Sequence, residues 1–353
     1  MFYTFAVLFE MLLHLLAIGL LMLSASPDSI QGGRYQQPLF QVTTKPGILY
    51  AEVDGYWSEL DDKTTAAEKV FKLNHVVDEQ PLELRLDLYL PKDDTLAYRP
   101  LVMLIHGGAF YFGSRKDHSI TRWCRHFASL GYVAASIDYR LGFFPTKNDI
   151  DRAGYRALQD AHAALRFLVD NQEHYGIDTS MIFVGGSSSG GITALNLVYL
   201  NNQNRPASTL DLGNVETSGN DLTNHFSIKG VVNMWGALFD TSAMRGHHVP
   251  ILAFHGDKDQ TVPYDYDYPF QQIGDANKLL VSKMYGSSCI VDYAQKHGQQ
   301  ATLYTFEGSG HSPHNDPHPA KAKRIFHFIQ DKMIDFFYQI IRQKQPKGSH
   351  SPN

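Results

Sequence analysis

Cysteine is scarce: 353 residues carry two, Cys124 and Cys289. That excludes a disulfide-stapled scaffold and a cysteine-rich metal module. Charge clusters are missing as well. The net charge is −5, from 31 Lys+Arg against 36 Asp+Glu. No basic stripe or acidic block gathers these charges, which argues against nucleic acid and against a charged membrane surface as partners. No internal repeat marks a solenoid or propeller. What the chain does have is apolar material, with 43% hydrophobic residues. That is enough for a substantial core and places the chain outside the disordered class.

Residues 1–23 (MFYTFAVLFEMLLHLLAIGLLML) are nearly all apolar, and Ser24, Ala25 and Ser26 follow. The run from Leu12 to Leu23 is short for a bilayer span and suits the h-region of an export signal. The expectation is that residues 1–26 are a signal peptide and that the protein is secreted or periplasmic. An uncleaved membrane anchor is the alternative. If the segment is cleaved, no stable membrane partner is expected. No Lys or Arg precedes Arg34 and Glu10 stands where positive charge belongs; a start at Met11 would put an amino terminus there. No cysteine lies nearby to carry a lipid. Residues 31–81 read as an extension packing on a catalytic domain at 82–344, with 345–353 a loose polar tail.

From Leu82 apolar, β-rich runs recur: LELRLDLYL (82–90), LVMLIHG (101–107), YVAASIDY (132–139), MIFVGG (181–186), IKGVVNMW (228–235), VPILAFHG (249–256) and ATLYTFEG (301–308). The first alternates like a half-exposed antiparallel strand, whereas several later ones are continuously apolar, as strands buried on both faces are. Helical spacing fills the gaps at 117–130, 151–174, from the serines at 187–189 through Val198, and at 320–343. Alternation of this kind predicts an α/β fold with a mainly parallel sheet and helices on both faces. The two cysteines then fall on helices over opposite faces, as separate buried thiols.

The run Met181–Gly191, MIFVGGSSSGG, holds three adjacent serines. A serine hydroxyl becomes a nucleophile only with a base to take its proton and donors to receive an oxyanion. A strand-to-helix turn of pattern G-x-S-x-G presents such a serine. Centring on Ser187 would need glycine at 189, and centring on Ser189 would need glycine at 187. Only Ser188 has glycines on both sides, Gly186 and Gly190. Oxyanion donors are expected from the residue after the nucleophile and from a loop after an earlier strand, here His106-Gly107-Gly108-Ala109-Phe110. An acid and a base should follow in the order Asp, His. The segments His255–Pro263 (HGDKDQTVP) and Glu307–His311 (EGSGH) supply them at strand carboxyl ends, where open α/β sheets place their sites. Asp257 and Asp259 both remain open as the acid on spacing alone.

Together HGGAF, Asp138-Tyr139-Arg140-Leu141, GSSSGG, HGDKDQTVP and GSGH resemble the α/β-hydrolase esterases and lipases of the hormone-sensitive-lipase-like and carboxylesterase group. The resemblance spans roughly Leu82 to Lys344. It implies an α/β-hydrolase fold and a serine carboxylesterase with Ser188, Asp259 and His311 as triad. Asp259 is preferred over Asp257 by the family's HGxxDxxVP pattern. The amides of Gly108, Ala109 and Ser189 would form the oxyanion hole. Two departures stand out. Ala109 replaces a usual glycine, yet keeps its N–H. Ser187 and Ser189 replace a usual acidic residue and alanine, and neither change removes a catalytic atom.

No cofactor is needed for this chemistry. His311, His314, His318 and Asp316 cluster in sequence, but read as loop packing rather than a metal site. The aromatics around the site loops, Phe110, Tyr111, Phe143, Phe144, Trp235, Tyr264, Tyr266 and Phe270, are candidates to line an acyl or aryl pocket; Phe110, Trp235 and Tyr264 come first, Trp235 because it ends a strand on the catalytic edge. The expected substrate is a small-molecule or polysaccharide-linked ester. Two rival readings are a prolyl-oligopeptidase-like peptidase and an inactive hydrolase-like binding domain. Too few residues precede Leu82 for the propeller of the first, and a candidate for every catalytic role weighs against the second.

Overall fold

A computed structural model describes residues 33–59, 79–144 and 146–344. The expected signal or anchor segment at 1–26 and the tail at 345–353 lie outside the described residues, as does much of the 31–81 extension.

Eight strands form one sheet: β1 (Val42–Gly55), β2 (Gln80–Pro91), β3 (Arg99–Ile105), β4 (Val133–Ile137), β5 (Ile177–Ser187), β6 (Ile228–Met234), β7 (Ile251–Gly256) and β8 (Ala301–Phe306). Their order is β1-β2-β4-β3-β5-β6-β7-β8. β2 runs antiparallel to both neighbours, β1 and β4, and all the other pairings are parallel. The continuously apolar run of β3 is explained by its burial. Leu101, Met103 and Ile105 face one hydrophobic cluster, Val102 and Leu104 the other. Fully burying each such side chain stabilises the fold by about 1.5–3 kcal/mol.

Five principal helices cover the sheet: α1 (His118–Ser129), α2 (Lys147–Asp170), α3 (Ser189–Tyr199), α4 (Ser287–Lys296) and α5 (Pro319–Lys344). α1 and α5 pack on one face through Trp123, Phe127, Ile329, Met333 and Phe337, whereas α2, α3 and α4 pack on the other through Leu158, Leu165, Leu195 and Ile290. α2 begins a turn earlier than its periodicity suggests, because Thr146 caps it by accepting the Asp149 N–H at 3.3 Å. It ends at Asp170, and a separate short turn closes on Gly176 in the left-handed conformation (φ 64°). Cys124 on α1 is buried; Cys289 on α4 is only partly so, a correction to the expectation of two buried thiols. Its helix lies near an end of the sheet order, against β7 and β8, where cover is thinner. Among the described residues no helix is long and apolar enough to cross a membrane.

Candidate active site

β5 feeds directly into α3 through the serine run, and the turn is so tight that only glycine fits on either side. A Cβ on Gly186 would lie 2.3 Å from the Gly190 carbonyl carbon, and one on Gly190 would lie 2.2 Å from the Ile105 oxygen. Between them Ser188 is held at φ 56°, ψ −122°. A non-glycine residue there carries strain of order 1–3 kcal/mol. The surrounding structure enforces it: the Ser188 N–H donates to the Met234 oxygen at 2.8 Å, and the Ser188 oxygen accepts the Ile192 N–H at 2.9 Å.

Residues far apart in sequence converge on that serine. Ser188 Oγ lies 2.9 Å from His311 Nε2, and His311 Nδ1 lies 2.6 Å from Asp259 Oδ2. Asp259 follows β7 and His311 follows β8, so two parallel neighbours present their carboxyl-end loops side by side. Asp257 is turned elsewhere, its Oδ1 accepting the Gly308 N–H at 2.6 Å. Geometry therefore distinguishes the two aspartates that spacing left open.

The Asp259 carboxylate is saturated with donors. Oδ1 accepts the Thr261 and Val262 amides at 2.8 and 3.0 Å, while Oδ2 accepts His311 and, at 3.2 Å, His255 Nε2. Burial alone would raise its pKa; the hydrogen bonds from His255 and His311, with their positive potential, outweigh burial and hold it well below the usual carboxylate range.

The His106–Phe110 loop presses against the serine turn. A Cβ on Gly107 would approach the Ser187 oxygen at 2.9 Å and the Ser188 Cβ at 3.2 Å. Gly108, Ala109 and Phe110 all have positive φ (120°, 54° and 59°). Among the described residues the N–H groups of Gly108 and Ala109 donate to no protein acceptor. Ser189 opens α3, so its N–H likewise has no acceptor within the helix. The loop is braced from beneath by Tyr139. Its hydroxyl donates to the His106 oxygen at 3.0 Å, sits 3.2 Å from Ser189 Oγ, and its ring stacks on His106 at 4.4 Å. Burial pushes the His106 imidazole down to about 4, so it stays neutral there. The sequence reading asked of Ser189 only its amide; its hydroxyl also ties the two loops together.

Ser188 opens onto an apolar cavity walled by Ala109, Phe110, Phe143, Ile192, Phe239 and Phe270, among others. Of the three foremost expected pocket residues only Phe110 is in that wall, where Phe143 and Phe270 of the wider aromatic set join it. Trp235 is fully buried, stacked on His314 at 4.9 Å and edge-on to His311 at 6.5 Å. It packs with the α1/α5 layer, whereas the cavity wall draws Ile192, Val262 and Met284 from the opposite layer. Tyr264 also lies outside the wall; its hydroxyl pairs with Thr305 Oγ1 at 2.7 Å and its ring meets His255 edge-on at 5.7 Å. Sequence reading missed several wall residues, among them Ile192, Phe239, Met284 and Asp151; the last, on α2, has a carboxylate with no hydrogen-bond partner among the described residues. Burial raises it to about 6.

The histidine cluster after His311 disperses. His314 Nε2 pairs with Ser119 Oγ at 3.0 Å, and the His318 N–H donates to Asp316 at 2.9 Å. Among the described residues no group of three or more His, Cys, Asp or Glu side chains is placed to hold a metal ion.

Comparison with known proteins agrees with this architecture. The BD-FAE family model matches residues 86–249, a stretch that includes the glycine loop and Ser188 but stops before Asp259 and His311. Gut esterase 1 of Caenorhabditis elegans is 35% identical over 28% of this chain and 18% of its own length. Human arylacetamide deacetylase-like 2 is 32% identical over 33% of this chain and 28% of its own. A probable isoprenylcysteine alpha-carbonyl methylesterase of Oryza sativa subsp. japonica is 25% identical over 78% of this chain and 63% of its own. The chain thus spans less than two thirds of each of these relatives. The propionate-bound structure of a thermophilic esterase, Est2, from Thermogutta terrifontis superposes with a TM-score of 0.53 at 22% identity, over 76% of this chain and 93% of that one. In fold the chain is an α/β-hydrolase, and in sequence it is similar to esterases over part of its length.

Proposed function

We propose that the protein is a serine carboxylic-ester hydrolase in which Ser188, His311 and Asp259 form the triad. The observation that carries this reading is the unbroken hydrogen-bonded series from Ser188 Oγ through His311 to Asp259, beginning on a serine held at φ 56° beside an apolar cavity. His311 Nε2 takes the Ser188 proton as Oγ bonds to the ester carbonyl carbon. The resulting oxyanion accepts the N–H groups of Gly108, Ala109 and Ser189. His311 then gives that proton to the departing alcohol, leaving an acyl-enzyme, and a water activated the same way releases the acid. Asp259 holds the His311 tautomer and stays ionised throughout. Ala109 accepts a left-handed backbone so that its amide can join Gly108.

The substrates assigned to this cavity are esters with uncharged acyl groups, because its wall is almost wholly aliphatic and aromatic and its one carboxylate would repel an anion. Acyl groups on polysaccharides fall within that class, and an exported enzyme would meet them outside the cell. The relatives that match over part of their length are themselves named esterases or deacetylases, which supports the reaction class.

The test is hydrolysis of a panel of acetyl, short-chain, long-chain and hydroxycinnamoyl esters by the wild type, Ser188→Ala and Ser187→Ala. Ser188→Ala should lose at least about 10⁴-fold in kcat, while Ser187→Ala retains most of it. Equal losses at both serines would sink the assignment.

A further inference from the structure

The triad aspartate has a second histidine, and its placement is too well specified to be incidental packing. His255, the penultimate residue of β7, stands four positions before Asp259 and is fully buried. Its Nε2 lies 3.2 Å from Asp259 Oδ2 and 3.2 Å from the Val262 carbonyl oxygen. Both of these can only accept, so Nε2 must carry a proton. Its Nδ1 lies 2.7 Å from Ser287 Oγ, on the first residue of α4.

The state of Nδ1 follows from one residue further back. Asn233, at the end of β6, accepts the Gly236 N–H on Oδ1 at 2.9 Å, which fixes the orientation of its amide. Its Nδ2 therefore donates to Ser287 Oγ, at 3.0 Å. With that donor already on the oxygen, the Ser287 hydroxyl proton points to His255 Nδ1, which must be a bare acceptor. A proton on Nδ1 as well would leave two donors aimed at Ser287 and its own hydroxyl proton without a partner, inside a fully buried cluster.

We infer that His255 is a positioning residue for the triad, locked by Asn233 and Ser287 as the neutral Nε2–H tautomer so that it donates permanently to Asp259. No proton travels along this chain. Its effect is on the carboxylate: with His255, Thr261 and Val262 already donating, one lone-pair direction of Asp259 remains, and it faces His311. That fixes the His311 ring orientation. It also limits how strongly Asp259 draws on the His311 proton. Three strands and a helix contribute, because Asn233 comes from β6, His255 from β7, His311 from the loop after β8 and Ser287 from α4. The site is thereby tied to the last three strands of the sheet order.

Two measurements test this. The kinetic one rests on the esterase reading: kcat/KM against pH for the wild type, His255→Phe and His255→Gln. Removing the donor makes Asp259 a stronger partner for the His311 imidazolium. In His255→Phe the acidic limb should therefore move upward by roughly half a unit to one unit. In the same variant kcat should fall about ten- to a hundredfold while KM stays within about twofold. His255→Gln, which supplies an amide donor, should return the limb toward the wild-type position. An unmoved limb in a folded His255→Phe, or equal shifts in both variants, would overturn the proposal.

The other measurement needs neither activity nor a folded Phe variant. In ¹⁵N-histidine-labelled wild-type protein, the signals that vanish in His255→Gln belong to His255. They should report the Nε2-protonated neutral tautomer. An Nδ1-protonated ring would contradict the inference even if ester hydrolysis is found, whereas absent hydrolysis with the expected tautomer would count against the esterase reading alone.

Discussion

Two aspartates flank the candidate nucleophile, and they have opposite surroundings. Asp259, behind His311, takes four hydrogen bonds, two from backbone amides and two from imidazoles. Asp151, in the cavity wall, takes none from the described residues. Both are substantially buried, and burial pushes both pKa values up. In Asp259 the donors overcome that push and the carboxyl ends well below its usual range; in Asp151 only the charge of Lys147, four positions earlier on the same helix, opposes it, and it rises to about 6. Burial alone therefore does not set the charge of a carboxyl group here. The number of donors aimed at it does. One carboxylate is held charged beside His311, and the other is left closer to neutral in an apolar wall.

The largest effect should come from breaking the charged member. Asp259→Asn replaces acceptor oxygens facing two imidazole N–H groups with an amide that can satisfy only part of them. The His311 tautomer would be wrong for accepting the Ser188 proton, so kcat should fall by about 10³–10⁴-fold with KM little changed. Asp257→Asn, two positions earlier and bonded to Gly308 rather than His311, is the matched control and should keep most of the activity. If the two variants lost equally, the choice of Asp259 would be wrong.

A smaller effect should appear in stability against pH. Burial holds His106, His162 and His314 down to about 4, below their usual value near 6.5. Such lowered groups contribute stability that is present above the unfolded value and lost as pH falls towards the folded one. Each should cost up to about 1.4 kcal/mol per pH unit between 6.5 and 4. Asp151 has the reverse sign: its raised value favours the fold below the unfolded carboxyl value near 3.8, an advantage lost as pH rises through about 6. Urea unfolding should therefore show a fall in stability from pH 6.5 to 4. Asp151→Asn should be modestly more stable than wild type at pH 8, with the two converging near pH 4. A wild-type advantage at pH 8 would show that the Asp151 carboxylate has a partner.

How much of this was legible in the sequence differs by kind of residue. The strands, the glycine-bounded serine and the loops carrying Asp259 and His311 announced themselves, because each depends on local features: continuous burial, a turn that admits no side chain, a strand's carboxyl end. Residues acting across the sheet did not. Asn233 and Ser287 lie in no motif and matter only because β6, β7 and α4 bring them to His255. Trp235 shows the limit from the other direction. Its position placed it at the catalytic edge, but which layer its ring enters depends on a backbone turn at φ 46° that no periodicity encodes. Asp151 was hidden for a similar reason, since one carboxylate in the opening turns of a helix ordinarily faces water.

The central claim is that Ser188 alone among Ser187, Ser188 and Ser189 is the activated nucleophile. An organophosphate reacts with a serine whose proton a neighbouring base removes, so the most direct measurement is exposure of this protein to paraoxon, intact-mass analysis, and mapping of the modified residue by peptide fragmentation. One phosphoryl adduct per chain, on Ser188 and absent from His311→Ala, is predicted. An adduct on Ser187 or Ser189, or none on the folded wild-type protein, would contradict the account.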